Sequence, residues 1–150
     1  LWFNGGSTGG MFNVRANGTS KIMMVTMISG CSGGFLSTFI KPVIMGTATA
    51  HNKYDVGATC NGILAGLVAI TGVCDRVDPW AALVIGLLSA FVYSGACKLF
   101  RVLDIDDPVE AGPVHGCNGF FGCIMVGVFD NELGLISGAE GAGAYLGWRK

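Results

Sequence analysis

Long apolar runs alternate with short charged segments along this chain. Four runs contain no Asp, Glu, Lys or Arg: residues 22–40, 56–74, 79–97 and 111–129. Each is close to the length of about 20 residues that takes a helix across the hydrocarbon core of a bilayer. The pattern predicts an all-α transmembrane helical bundle with four spans, at about residues 20–41, 56–74, 79–100 and 108–129.

Composition favours a membrane protein over a soluble one. Hydrophobic residues make up 51% of the chain and charged residues 13%, whereas a soluble domain carries about 25% charged residues. The alternative, four core helices of a soluble bundle, would need polar helix faces that these runs lack. A net charge of -1 gives no reason to expect a nucleic-acid partner.

The residue types give no indication of an enzyme or of a cofactor site. The six cysteines include no Cys-x-x-Cys pair and lie mostly within the apolar runs. We interpret them as small buried residues rather than as a zinc site or as disulfides. The sequence offers no nucleophile–base spacing and no metal-ligand cluster, so we expect neither a metal nor another cofactor.

The segment 104–129 begins with charge and continues as an apolar run. Asp107, Pro108 and Glu110 are typical of a helix start, with Asp107 as the N-cap, Pro108 as the first helical residue and Glu110 completing a capping box. We interpret these acids as structural caps rather than as proton donors. Pro113 lacks a backbone N–H and should distort the predicted helix locally.

His115 lies inside this apolar run, and its imidazole is an ionisable group. An ionisable group at membrane depth is costly and indicates a functional site by default. The alternative is a structural histidine that hydrogen-bonds a neighbouring helix. Asn61, another polar residue within a run, is expected to bond between helices.

Charge alone orients the predicted bundle weakly. The loops that hold Lys41 and Arg101 carry slightly more positive charge than the opposite loops, which favours a cytoplasmic location for them. Residues 8–20 are predicted to form a loop on the outer side. Glycine pairs four residues apart, such as Gly62 and Gly66, indicate close helix packing.

Several segments together resemble one family, the ammonium transporters (Amt/Mep/Rh). The resemblance runs from residue 3 to about residue 129 and is carried by FNGGS (3–7), CNGILAGLVAIT (60–71), PWAALVIGLLSAFVY (79–93) and IDDPVEAGPVHGCNGFFGCIMVGVF (105–129). It implies that residues 1–150 are part of one transporter domain. On the family's pattern of eleven spans, with two inverted repeats, they correspond to the end of span six and to spans seven to ten.

The resemblance also implies roles for three residues of a substrate pore. His115 matches the second member of the family's twin-histidine pair, Phe3 matches one ring of the outer phenylalanine gate, and Ser7 matches a hydroxyl of the outer ammonium-recruitment site. The first twin histidine and the second gate ring belong to the family's first half and lie outside this chain. The side of residues 104–110 is then cytoplasmic, and the FNGGS segment faces outward.

Two functions from different classes follow. The first is an ammonium transmembrane transporter or channel that conducts ammonium or ammonia through an apolar pore with a histidine relay. The resemblance implies that it is a homotrimer in a lipid bilayer. We expect it to be a multi-pass protein of the plasma membrane. The second is a four-span structural or adaptor membrane protein without a solute pathway.

Overall fold

The computed structural model describes residues 2–7, 14–46, 55–132 and 134–136. All regular secondary structure in these ranges is helical, as the sequence predicted. The elements are α1 (Trp2–Gly6), α2 (Val14–Met45), α3 (Val56–Ile70), α4 (Pro79–Val102), a π-helical turn (Gly112–Cys117) and α5 (Asn118–Phe129).

The first long helix extends beyond its predicted bounds. Helix α2 has 32 residues, so residues 14–20 are helical rather than part of a loop, and residues 8–13 lie outside the described ranges. At the other end, Lys41 and Pro42 lie within the last turns of α2. The helix can continue past Lys41 because the ammonium group of this lysine has partners inside the bundle.

Three of the described helices are long and apolar enough to cross a membrane: Gly18–Met45, Pro79–Val102 and Gly112–Phe129. Helix α3, at 15 residues, is about 22 Å long at 1.5 Å per residue, shorter than the hydrocarbon core of about 30 Å. Turns continue the chain from Thr71 to Asp75. Four spans therefore stay a prediction.

The helices run in alternating directions between two ends of the bundle. At one end, hydrogen bonds link the last turns of α2, the first half of α3, the second half of α4 and Glu110; we call this the Glu110 end. At the other end, the Trp80 ring at the start of α4 packs edge-on against the Phe129 ring at the end of α5, with 5.8 Å between centroids. We call this the Trp80 end.

Small residues let α2, α3 and α4 approach each other closely. A Cβ added at Gly66 would collide with the Ser29 carbonyl oxygen, and one added at Gly62 would collide with the Ser37 side chain. The same contact brings the Ser29 hydroxyl within 2.9 Å of the Gly66 carbonyl oxygen, to which it donates a hydrogen bond. Glycine and serine at helix crossings are typical of membrane bundles, where packing and interhelical hydrogen bonds replace the hydrophobic effect.

Large apolar side chains lie both inside and outside the bundle. The core joins all four long segments through buried residues such as Val25, Ile70, Ile85 and Met125. Many others are exposed, among them Phe35, Phe91 and Phe120, as expected for a surface that faces lipid or another part of a membrane protein. The cysteines were predicted to be buried, and this is wrong for three: Cys31, Cys60 and Cys123 are exposed because they lie on outward faces of their helices.

Candidate functional site

The segment before His115 does not form the predicted capping box. The helix begins at Ala111, after a turn, rather than at Pro108. Asp107 does act as a cap, since its carboxylate oxygens accept the backbone N–H groups of Ala111 at 3.0 Å and Gly112 at 2.7 Å. Glu110 is not part of this cap, because its backbone has a φ of 57° and its side chain binds to other helices.

His115 lies in a π-helical turn that contains Pro113. Pro113 was predicted to distort the helix because proline cannot donate a backbone hydrogen bond. The structure shows this distortion as a π turn, which is wider than an α-helical turn. The Asn118 amide donates to the Pro113 carbonyl oxygen at 2.9 Å, so the turn has a side-chain contact at its end as well as the Asp107 cap at its start. Such π turns occur often at functional sites.

The His115 side chain is exposed on the surface of the described bundle. It takes part in no hydrogen bond or ion pair with the residues that the structure describes. The two residues before it in the turn, Pro113 and Val114, are buried. The turn therefore packs against the bundle through these two residues and presents the imidazole on the outside.

Phe3 and Ser7 lie together on the short segment that begins the described chain. The Ser7 hydroxyl donates to the Phe3 carbonyl oxygen at 2.8 Å, and the Phe3 side chain is 77% exposed. Between them, Asn4 is buried and its amide donates to the Thr26 hydroxyl of α2 at 3.3 Å. The Asn4 contact therefore holds α1 on α2 and leaves the Phe3 ring free to contact a solute or another part of the protein.

Ser7 also borders a cavity of about 290 Å³ at the end of the bundle opposite to Glu110. The other lining residues are Asn4, Ile22, Thr71, Cys74 and Asp75. Phe3 and Ser7 thus share one end of the bundle, while His115 lies on a different element, five residues after Glu110. The structure does not bring the three predicted pore residues into direct contact.

A second polar site lies at the Glu110 end and consists of Lys41, Asn61, Tyr93 and Glu110; we call it the Glu110 cluster. The Lys41 ammonium lies 2.6 and 2.7 Å from the two carboxylate oxygens of Glu110 and donates to the Tyr93 hydroxyl at 2.7 Å. The Tyr93 hydroxyl and the Asn61 amide both donate to Glu110 Oε2, the latter at 2.8 Å. Every helix from α2 to α4 therefore contributes one donor to a single carboxylate.

The cluster keeps Glu110 ionised. Burial alone would raise the pKa of this carboxyl group, but hydrogen bonds from Lys41, Tyr93 and Asn61, together with the lysine charge, lower it below its ordinary value. Glu110 precedes the membrane-spanning helix, which begins at Gly112. A non-glycine residue at positive φ costs about 1–3 kcal/mol and persists only where the surroundings hold it; here the four-residue cluster does so.

Sequence reasoning assigned Glu110 and Lys41 other roles and did not single out Tyr93. It treated Glu110 as a cap and Lys41 as a loop charge. Asn61 was expected to bond between helices, and its amide bonds from α3 to Glu110, which lies in the turn before the next helix. The available signal was one lysine directly after an apolar run and one acid directly before another. Opposite charges at the ends of neighbouring membrane helices are expected to pair, because an unpaired charge there is costly.

The fold and these sites define a class: an α-helical protein that crosses the membrane several times. Comparison with known proteins narrows the class. A family model described as the Ammonium Transporter Family matches residues 1–148. The chain belongs to the ammonium transporter family.

Relatives from distant organisms support the assignment. The chain is 38% identical to "Putative ammonium transporter 1 member 5" from Arabidopsis thaliana, over 87% of this chain and 24% of the relative. It is also 38% identical to "Ammonium transporter Amt2" from Archaeoglobus fulgidus, over 90% and 28% of the two chains. The crystal structure of Mep2 from Saccharomyces cerevisiae matches with a TM-score of 0.75 and 30% identity, covering 96% of this chain and 29% of Mep2.

These comparisons confirm the predicted fold class, an all-α transmembrane bundle that forms part of an ammonium transporter fold. The chain spans about a quarter of the length of the curated relatives it matches.

Proposed function

We propose that this protein is an ammonium transporter that conducts ammonium or ammonia through an apolar pore, with His115 in a histidine relay. The observation that carries the proposal is the exposed His115 imidazole within an apolar, membrane-spanning segment of a chain from this family. The family membership favours a transporter over the adaptor hypothesis. The orientation, with the Glu110 end in the cytoplasm, is part of the same proposal.

Phe3 and Ser7 supply the chemistry for the outer mouth of this pore. Ammonium is a hydrated cation, and transfer into an apolar pore costs it that hydration. An exposed aromatic face attracts a cation, and the Ser7 hydroxyl oxygen can accept a hydrogen bond from ammonium. Both residues lie on one segment, and the hydrogen bond from the Ser7 hydroxyl to the Phe3 carbonyl oxygen keeps them at the same end of the bundle.

His115 supplies a group that can bind and release a proton inside the apolar region. A neutral imidazole has one nitrogen that accepts a hydrogen bond or a proton and one that donates. Passing a proton onward requires a second such group, and the resemblance assigns it to the family's first half. Because transporter sites form at the interface of inverted repeats, the exposed His115 surface is the face that we propose meets that half.

The assembly and the location belong to this proposal as well. The resemblance implies a homotrimer, and we propose the plasma membrane as its location. Exposed apolar residues on α2, including Phe35 and Phe39, whose rings lie 5.2 Å apart, offer a surface for lipid or for a neighbouring subunit.

Substitution of His115 in the full-length protein tests the proposal. In cells without their own ammonium transporters, we expect His115→Ala to lose or alter ammonium-dependent current and methylammonium uptake at wild-type surface abundance. His115→Glu should keep part of the conduction with changed selectivity, because a carboxylate can also accept a proton. Unchanged transport and unchanged selectivity in His115→Ala would show that this histidine has no role in the pore.

A further inference from the structure

We infer that the Glu110 cluster positions His115: the carboxylate, held by donors from three helices, fixes the π turn and thereby sets the transport rate and selectivity. This inference rests on the proposed pore role of His115. Glu110 is a positioning residue in this scheme and not a group that contacts the transported molecule.

The first support is the way in which Glu110 connects the bundle to the π turn. Its side chain binds Lys41 of α2, Asn61 of α3 and Tyr93 of α4. Its own carbonyl oxygen accepts the Val114 N–H at 3.0 Å. Glu110 therefore joins three helices to the residue that directly precedes His115.

Tyr93 provides a second connection to the same turn. It is fully buried and packs with Val114, Ala65 and Cys97 in one apolar cluster. Its hydroxyl belongs to the Glu110 cluster, while its ring faces the Lys41 ammonium, 4.9 Å from the ring centroid. A shift of Tyr93 would therefore move both the carboxylate and the buried side of the π turn.

Helix capping does not explain Glu110. Asp107 already accepts the N–H groups of Ala111 and Gly112, so the start of the helix has its cap. Glu110 instead adopts a left-handed backbone, and its carboxylate is held close to the membrane-spanning segment, where a charge is costly without partners. A backbone outlier that the surroundings hold in place, next to a candidate functional residue, is typical of a preorganised site.

The experiment compares full-length variants for transport per surface-exposed molecule. The readouts are KM, maximal rate and the ratio of methylammonium to ammonium transport. Glu110→Gln keeps the shape of the side chain and removes its charge, and we expect it to change this ratio by about three- to tenfold, within the range for residues that act through a neighbour. Tyr93→Phe removes one hydrogen-bond donor from the cluster and should change the ratio in the same direction by about twofold.

Asp106→Asn is the matched control, since it removes the same charge from an exposed side chain of the same segment between α4 and the π turn. We expect wild-type KM, rate and ratio from it. If Glu110→Gln does not reach the cell surface, Tyr93→Phe and Asn61→Ala test the positioning role instead. Both variants remove one hydrogen bond to Glu110 and leave its ion pair with Lys41 in place.

The outcomes separate this inference from the proposed function. Wild-type KM and ratio in the variants of the cluster, together with lost transport in His115→Ala, would overturn the positioning role alone. Unchanged transport and unchanged selectivity in His115→Ala would overturn both the positioning role and the proposed histidine relay. A changed ratio in Glu110→Gln and Tyr93→Phe, with a normal Asp106→Asn, would support the positioning role, since reduced stability alone lowers the number of transporters and leaves the ratio unchanged.

Discussion

Gly86 lies where α4 crosses α2, and its lack of a side chain allows the two helices to approach. A Cβ at this position would collide with the Ser32 hydroxyl and the Ser29 carbonyl oxygen. The backbone at Ser29 cannot move away freely, because the Ser29 hydroxyl is also bonded to Gly66 of α3. The absence of a side chain at Gly86 therefore allows the close approach of α4 and α2. Through the hydrogen bond of Ser29, the same contact also affects the position of α3.

We expect Gly86→Ala to destabilise the full-length protein by about 1–3 kcal/mol, the usual cost of overpacking a tight interior. Gly95→Ala in the same helix is the control. A Cβ at Gly95 meets nothing within 4 Å among the described residues, and alanine is the better helix former by about 1 kcal/mol. Thermal unfolding of the two purified variants in detergent gives the comparison; equal midpoints would contradict this account of the helix crossing.

Single residues differ in how far their roles follow from the sequence. Asp107 was predicted to cap a helix and does so, because a cap depends on residues a few positions away. The partners of Glu110 lie 17 to 69 positions away in sequence. The charges of Lys41 and Glu110 are visible in the sequence, but their pairing depends on which helix faces meet.

At the scale of elements, the apolar pattern predicts the existence of the helices better than their ends. Absence of charge marked the runs, yet α2 extends past Lys41 and the helix after Asp107 begins later than predicted. Both differences have one cause. The ion pair between Lys41 and Glu110 allows the lysine to lie inside α2 and holds the glutamate in the turn before the next helix. This tertiary contact overrides the local sequence signals for where the helices end and begin.

The alternating helix directions lead to a prediction about topology. Asp75 and Asp104 are exposed at opposite ends of the bundle. In a full-length background without native cysteines, we expect Asp75→Cys to react with an impermeant thiol reagent applied outside intact cells. Asp104→Cys should react only after permeabilisation, because the proposed orientation puts the Glu110 end in the cytoplasm. The reverse pattern would invert the orientation, and labelling of both from outside would contradict the alternating spans.

For the molecule as a whole, the surface of the described bundle combines apolar residues with residues of the proposed pore. His115 and Phe3 are exposed, and so are apolar side chains on several helices, such as Phe91, Phe120 and Ile124. The cavity beside Ser7 lies at one end of the bundle, and no residue of the π turn that holds His115 lines it. A pore that includes these residues needs walls from another part of the protein, which is consistent with a chain that covers about a quarter of its relatives' length.

Residues 1–150 expressed alone should therefore not transport ammonium. The exposed imidazole of His115 would face lipid or an open cleft, without the partner histidine that the resemblance assigns to the family's first half, and a polar group in hydrocarbon favours misassembly. The measurement is growth on low ammonium of cells that lack their own ammonium transporters, with membrane insertion of the fragment checked by fractionation. The full-length protein in the same cells is the control and should restore growth. If the fragment restored growth as the sole transporter-like chain present, a pore built by this bundle alone would have to replace the proposed one.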